Sequence, residues 1–189
     1  AVMGVNAVKN IALSFILAQT LEGAEGERFG FERLWHRSIT TAVAAQLISK
    51  AIGFKSDETF IAGFLQDIGV AALAVLRKDD YLTVLDEKAV TGLPVTTVEK
   101  RVFDFDHQEV GADLLRMWGL PENVYLPVRY HHDVDNAPRS VQPLCEIMWA
   151  SDRLAAIYHG TGIAKNVLAS KEILKRRFGL RDDQVNALI

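Results

Sequence analysis

Apolar residues recur at helical spacing along nearly the whole chain, and no stretch alternates at strand period over strand length. The pattern predicts a first helix from Asn6 to Leu21, then a loop marked by Gly23, Gly26 and Gly30. A second helix carries Leu34, Trp35, Ile39, Val43, Leu47 and Ile48 and stops near Gly53. The third starts at Ser56 or Asp57 and runs to Leu76; it is apolar almost all round, which predicts a central buried helix. A short polar helix follows to Lys88, then a turn at Thr91-Gly92-Leu93-Pro94 and a helix from Pro94 to Val102. Asp106-His107-Gln108-Glu109 spells a capping box for a helix that ends at Gly119, and Pro121 opens the next in its first turn. A polar loop from His132 to Arg139, a long helix from Val141 to Tyr158 and two short helices, Ala169 to Phe178 and Asp182 to Ile189, complete an all-α, single-domain reading.

On helical wheels, several ionisable residues fall on core-facing stripes. Asp67 sits between Phe60, Ala71 and Ala74; His107 lines up with Gly111, Leu114 and Trp118; His131 with Val124 and Val128; and His132 lies toward Tyr125. Asp152 shares a face with Cys145, Met148, Ala156 and His159. An unpaired buried charge is costly, so these five must pair with one another, bond to backbone or hold a metal. Plainer roles stand beside that one. His107 can belong to a capped first turn, the His131-His132 pair can offset a helix dipole, and each aspartate can accept bonds from a neighbouring helix. Trp35, Trp118 and Trp149 read as core, and Cys145 as an inert buried thiol.

Composition narrows the function classes. Lys and Arg total 21 against 24 Asp and Glu in 189 residues, a net charge of −3, which argues against a strongly basic nucleic-acid binder. One cysteine excludes an internal disulfide and a cysteine-rich zinc site, and fits a reducing, cytoplasmic setting. No run reaches the roughly 18 consecutive apolar residues of a membrane span, because Gln66 and Asp67 break the richest stretch. Dinucleotide, P-loop, zincin and nucleophile-elbow motifs are absent. Lys171, Lys175, Arg176, Arg177 and Arg181 form a basic cluster that reads as a solvated helix face.

The order of these elements resembles the HDOD domain, a bacterial branch of the HD metal-dependent phosphohydrolase superfamily. Leu34-Trp35-His36-Arg37-Ser38 with Thr41-Ala42, then Ala62-Gly63-Phe64-Leu65-Gln66-Asp67-Ile68-Gly69, carry the resemblance. So do Asp106-His107-Gln108-Glu109-Val110-Gly111-Ala112, Trp118-Gly119-Leu120-Pro121 and His131-His132, while residues 7–14 look like the middle of that domain. It implies an HDOD-like helical domain over residues 5–160 and a C-terminal helical extension over 161–189. The chain begins without Met and in mid-pattern, so it is read as a fragment lacking the domain's N-terminal helices.

The resemblance also implies a metal core of a first His, a His-Asp doublet and a distant Asp. Here Arg37 stands at the first position and Gln66 at the doublet's His, while Asp67 and Asp152 match the two carboxylates. His107, His131 and His132 match further ligands of multinuclear relatives. The site is therefore expected to be vestigial, with no catalytic residue and no metal or other cofactor. A guanidinium cannot ligate a metal, and Arg37 is expected to pair with the carboxylates. The function expected is a non-catalytic output or interaction module of a bacterial signalling protein, such as a response regulator. Its partner would be a protein or a fused signalling domain, with homo-oligomerisation possible and neither membrane nor nucleic acid involved. Two alternatives stand: a metal-dependent phosphohydrolase with an altered ligand set that uses His36, and a nucleotide or small-molecule sensor built on the former cleft.

Overall fold

In a computed structural model that describes residues 29–56, 58–160 and 162–189, the described residues are helical and contain no strand. The expected helix from Asn6 to Leu21 and the candidate cap Asp57 lie outside the described residues. α1 (Phe31–Ile52) ends where Gly53 takes a left-handed conformation, φ 70°, and its N–H reaches back to Lys50 and Ser49. Its buried face differs from the one the large apolar residues suggest. Ser38, Thr41, Ala42, Ala44, Ala45, Ile48 and Ser49 are buried, whereas Ile39, Val43 and Leu47 are exposed. The reason is close approach. α2 (Thr59–Leu65) packs on α1 through Gly63, where a Cβ would lie 3.2 Å from the Cα of Ala42 and 3.3 Å from the Cβ of Ala45.

The single helix expected from Ser56 to Leu76 is two helices. α2 stops at Leu65 and α3 (Ile68–Leu76) starts after a step at Gln66 and Asp67, where the Val70 N–H bonds the Asp67 carbonyl at 3.0 Å. That is an i→i+3 turn, tighter than the α-helix, and it redirects the chain. Hydrophobic periodicity could not show it, because Gln66 and Asp67 are buried for their polar partners and not for apolar ones. The segment Thr59–Leu76 reaches a mean hydropathy of 1.8 over 18 residues, but this break and its packing make it a core element.

α4 (Lys78–Thr91) and α5 (Val95–Phe103) close a second apolar cluster around Leu73, Tyr81, Val84, Val98 and Phe103. Asp104, left-handed at φ 70°, ends α5 and turns the chain into the cap of α6 (His107–Met117). α6 crosses α3 at a glycine pair. A Cβ on Gly69 would sit 1.9 Å from the His107 carbonyl oxygen and 2.8 Å from the Gly111 N, so the two backbones touch with nothing between them.

α7 (Glu122–Tyr130) follows Pro121, which is the cap residue one position before the expected first turn. A 3-10 turn at Val134–Asn136 leads to α8 (Gln142–Tyr158), which packs against α1. α9 (Ile163–Arg176) and α10 (Asp182–Leu188) bring Leu174, Leu180 and Val185 into the main core beside Ile48, Leu65, Leu115 and Met148. The C-terminal extension thus shares the domain's core. Trp118 and Trp149 are half-buried at the edge of this packing, not at its centre, and Trp35, also half-buried, meets Phe64 edge-on.

The α3–α6 contact makes a graded prediction. Gly69→Ala must force two backbones apart and should cost about 3 kcal/mol or more of unfolding free energy. At Gly111 the nearest atom to an added Cβ is the movable Cγ1 of Val128, at 3.1 Å. Gly111→Ala also gains helix propensity and should cost about 1 kcal/mol or less. Urea unfolding followed by circular dichroism checks the order; equal midpoints would contradict the crossing.

Candidate functional site

The polar residues singled out on the wheels converge on the end of α3. Its preceding turn supplies Gln66 and Asp67, the first turn of α6 supplies His107, and the C-terminal end of α7 supplies His131 and His132. α1 adds Arg37 and α8 adds Asp152. These seven divide into two groups that meet at Asp67.

In the first group, Asp152 accepts Arg37 Nη2 at 2.6 Å, Arg37 Nε at 3.2 Å and Gln66 Nε2 at 3.0 Å, all on Oδ1. The Arg37 Nε also lies 4.0 Å from Asp67 Oδ2, and Gln66 Nε2 donates to that oxygen at 3.4 Å. The expectation that Arg37 pairs with the site's carboxylates holds, with Asp152 as the main partner. Burial works against the guanidinium's charge, but Asp152 and then Asp67 more than offset it.

In the second group, one ligand atom from each of Asp67, His107, His131 and His132 falls within 4.8 Å of the others. Asp67 Oδ1 is 3.6 Å from Nε2 of both His107 and His131. Both histidines are buried and held by their other nitrogen. His107 Nδ1 lies 2.7 Å from Glu99 Oε2, and His131 Nδ1 lies 2.7 Å from the Val128 carbonyl oxygen. A carboxylate and a carbonyl only accept, so each Nδ1 carries the proton and each Nε2 points at Asp67. The His132 ring lies tilted against that of His131, 4.0 Å between centroids, and its backbone N–H donates to Gln108 Oε1 at 2.9 Å.

The first turn of α6 is fixed by its cap. Asp106 accepts from the N–H groups of Gln108 and Glu109, and Glu109 Oε2 accepts the Asp106 N–H, which is the predicted capping box. Behind it lies Glu99, which the sequence reading missed. This fully buried carboxylate accepts the Tyr81 hydroxyl at 3.1 Å, the His107 backbone N–H at 3.0 Å and its ring N–H. A signal for it existed: Glu99 lies four residues after Val95 and three before Val102, on the inward stripe of α5.

Protonation follows from these contacts. Burial alone would raise the Asp67 carboxyl, but His131, His107 and Arg37 hold it well below the ordinary carboxylate range. For His107, burial opposes the charged ring, and the Glu99 carboxylate overrides that and raises its pKa. His132 is depressed by loss of water around its ring and by His131 and His107, with Asp67 acting the other way.

Other sequence candidates lie elsewhere. His36 is exposed and its Nε2 stands 4.0 Å from Glu32, so it faces away from the cluster. Cys145 is fully buried, its thiol pushed up to about 12 by desolvation, as befits an inert core residue. In the C-terminal basic cluster, Lys175 pairs with Asp182, Arg176 with Glu172, Arg177 with Glu146 and Asp135, and Arg181 with Asp183.

The donor set fits a transition-metal ion. Three imidazoles and one carboxylate are the mix that suits first-row divalent ions. The Nε2 atoms of His107 and His131 are buried without a hydrogen-bond partner among the described residues. At Asp152 the donor oxygen is instead saturated by Arg37 and Gln66.

Comparison with known proteins places this geometry. A solved HDOD domain protein of unknown function from Geobacter sulfurreducens superposes with a TM-score of 0.75 at 22% identity, over 92% of this chain and 61% of that one. The MmoQ response regulator from Methylococcus capsulatus gives 0.63 at 24% identity, over 86% and 62%. At these identities the likeness is one of fold. An uncharacterised protein of Treponema pallidum is 26% identical over 144 residues, which are 75% of this chain. The chain spans only 28% of that protein's length. The family model of the HDOD domain matches residues 1–134, and the chain belongs to the HDOD family.

Proposed function

We propose that this chain is a non-catalytic regulatory module of a bacterial signalling protein. It acts in the cytoplasm by association with a protein partner or a fused signalling domain. The observation that carries the reading is the engagement of Asp152. Both of its nearest polar neighbours, Arg37 at 2.6 Å and Gln66 at 3.0 Å, are donors on one oxygen. Hydrolysis of a phosphoester on this scaffold would need a metal there, to generate hydroxide and to neutralise developing charge. A guanidinium offers charge without a lone pair, so at Asp152 Oδ1 it stands as a donor where a metal-based site would need a ligand. The likeness in fold to a response regulator supports the signalling part of the reading.

One observation favours a phosphohydrolase instead, namely the three histidines gathered around Asp67. A protein of Shewanella amazonensis, provisionally named a phosphohydrolase, shares the fold with a TM-score of 0.70 at 17% identity. The two readings separate in an assay. The purified chain, supplied with manganese, iron or zinc, should show no turnover of phosphomonoesters, cyclic nucleotides or cyclic dinucleotides above the buffer rate. Turnover that Asp67→Asn abolishes would sink the regulatory reading.

The ion pair makes a stability prediction. Arg37→Met leaves Asp152 with Gln66 alone and brings a thioether beside two carboxylates. Because Arg37 keeps some exposure, the cost should be about 1–2 kcal/mol and not that of a fully buried pair. Thermal melting at neutral pH measures it, and an unchanged midpoint would show that the pair contributes nothing.

A further inference from the structure

We infer that the outward face of α1 is the interface of a two-fold homodimer, with α1 of a second copy laid antiparallel across it. This face is turned away from the polar site. The inference goes beyond the regulatory reading and does not rest on it.

The inner arc of α1 serves α2, α8 and α10, and it does so through small residues such as Ala42, Ala44 and Ala45. The opposite arc carries larger apolar side chains. Ile39 is 39% exposed, Val43 45% and Leu47 51%. A surface helix ordinarily puts polar residues on that arc. Here the middle of the arc is apolar and the polar residues stand toward its ends. Phe60 of α2, itself exposed, stacks on Phe64, which meets Trp35 edge-on at the side of the same face. The result is a continuous patch and not scattered single residues.

The spacing of the patch names its occupant. Glu32, His36, Ile39, Val43, Gln46 and Lys50 follow one another at alternating intervals of four and three residues, the seam of a coiled coil, and all six are exposed. Their order is complementary to its own reverse. About a two-fold axis at the level of Thr41, an antiparallel copy sets Glu32 against Lys50, His36 against Gln46 and Ile39 against Val43, each pair occurring twice. Opposite charges meet at both ends. The imidazole meets an amide that can donate and accept, and the apolar pairs lie at the centre, where water is excluded. Trp35 and Leu47 stand on the two flanks of the seam.

A parallel copy would do the reverse. It would place Glu32 on Glu32 and Lys50 on Lys50, and like charges directly opposed disfavour association. A different partner would have no reason to read the same in both directions, whereas an isologous contact requires it. The net charge of −3 leaves little long-range repulsion between copies. One helix pair with an aromatic edge is a small interface, so the dimer should be weak, with a dissociation constant on the order of 10 μM.

Sedimentation velocity of the 189-residue chain, run from about 1 to 300 μM, reads this directly. The mass should rise from that of one chain to that of two. Val43→Lys brings two cations into the middle of the seam and should weaken association about thirtyfold or more. Glu32→Lys and Lys50→Glu each oppose like charges at both ends and should weaken it about fivefold. The double variant exchanges the two charges and should recover the wild-type constant. All these positions are exposed, and circular dichroism checks that each variant keeps its fold. A wild type that stays monomeric throughout overturns the inference and leaves the regulatory reading standing. A dimer that Val43→Lys leaves intact overturns the choice of face. A double variant weaker than either single one overturns the antiparallel pairing. A monomer whose melting midpoint falls in Val43→Lys would give the face to residues 1–28 of the same chain, which also overturns it.

Discussion

The contact on which the site depends is the crossing of α3 and α6 at Gly69 and Gly111. With no Cβ on Gly69, the backbone of α3 rests on the His107 carbonyl. Asp67 lies two residues before that contact and His107 opens the helix on the other side of it. A side chain at Gly69 would force the two backbones apart and shift His107 relative to Asp67, which it now faces at 3.6 Å. The crossing also accounts for the break between α2 and α3. A straight helix through Gln66 and Asp67 would keep its direction, whereas the i→i+3 step lets α3 lie against α6 while α2 stays on α1.

That geometry buries a carboxylate, and burial of a charge is affordable only with compensation. Asp67 draws it from opposite sides, with two imidazoles on one oxygen and a guanidinium near the other. The two sides differ in kind. Arg37 carries a permanent charge and no lone pair, so it can balance a carboxylate but never share a ligand role with it. The histidines offer lone pairs whose direction is set from behind by Glu99 and Val128. One polar interior therefore holds an ion-paired half and a ligand-like half, joined through a single aspartate.

Much of this was legible in the sequence, for identifiable reasons. Helices with clear punctuation could be placed: Gly53 ends α1, and the Asp106–Glu109 box starts α6, because both signals are local backbone chemistry. Asp67, His107, His131 and His132 stood out because a charge on an apolar stripe is rare. The break at Gln66 was hidden, since residues buried for polar reasons look apolar to a periodicity argument. The face of α1 was misjudged because close helix contact selects alanine and glycine, which carry little hydrophobic signal, over Ile39, Val43 and Leu47. Glu99 escaped because its partners, Tyr81 and His107, lie 18 and 8 residues away on other helices.

Asp152 raises a different point about the unit that folds. It lies beyond residues 1–134, where the family match ends, yet it is the closest partner of Arg37. The same helix that carries it packs on α1 and on α9, and Leu174, Leu180 and Val185, from the last two helices and the turn between them, complete the core around Ile48 and Leu65. Removing that part would uncover apolar surface at about 25 cal/mol for each Å² and would leave Arg37 facing Asp67 alone. The polar site and the hydrophobic core thus make the same demand on the chain. Residues 135–189 belong to the structural unit because α1 needs them on both counts, for the burial of its small-residue face and for the neutralisation of its one inward cation among the described residues.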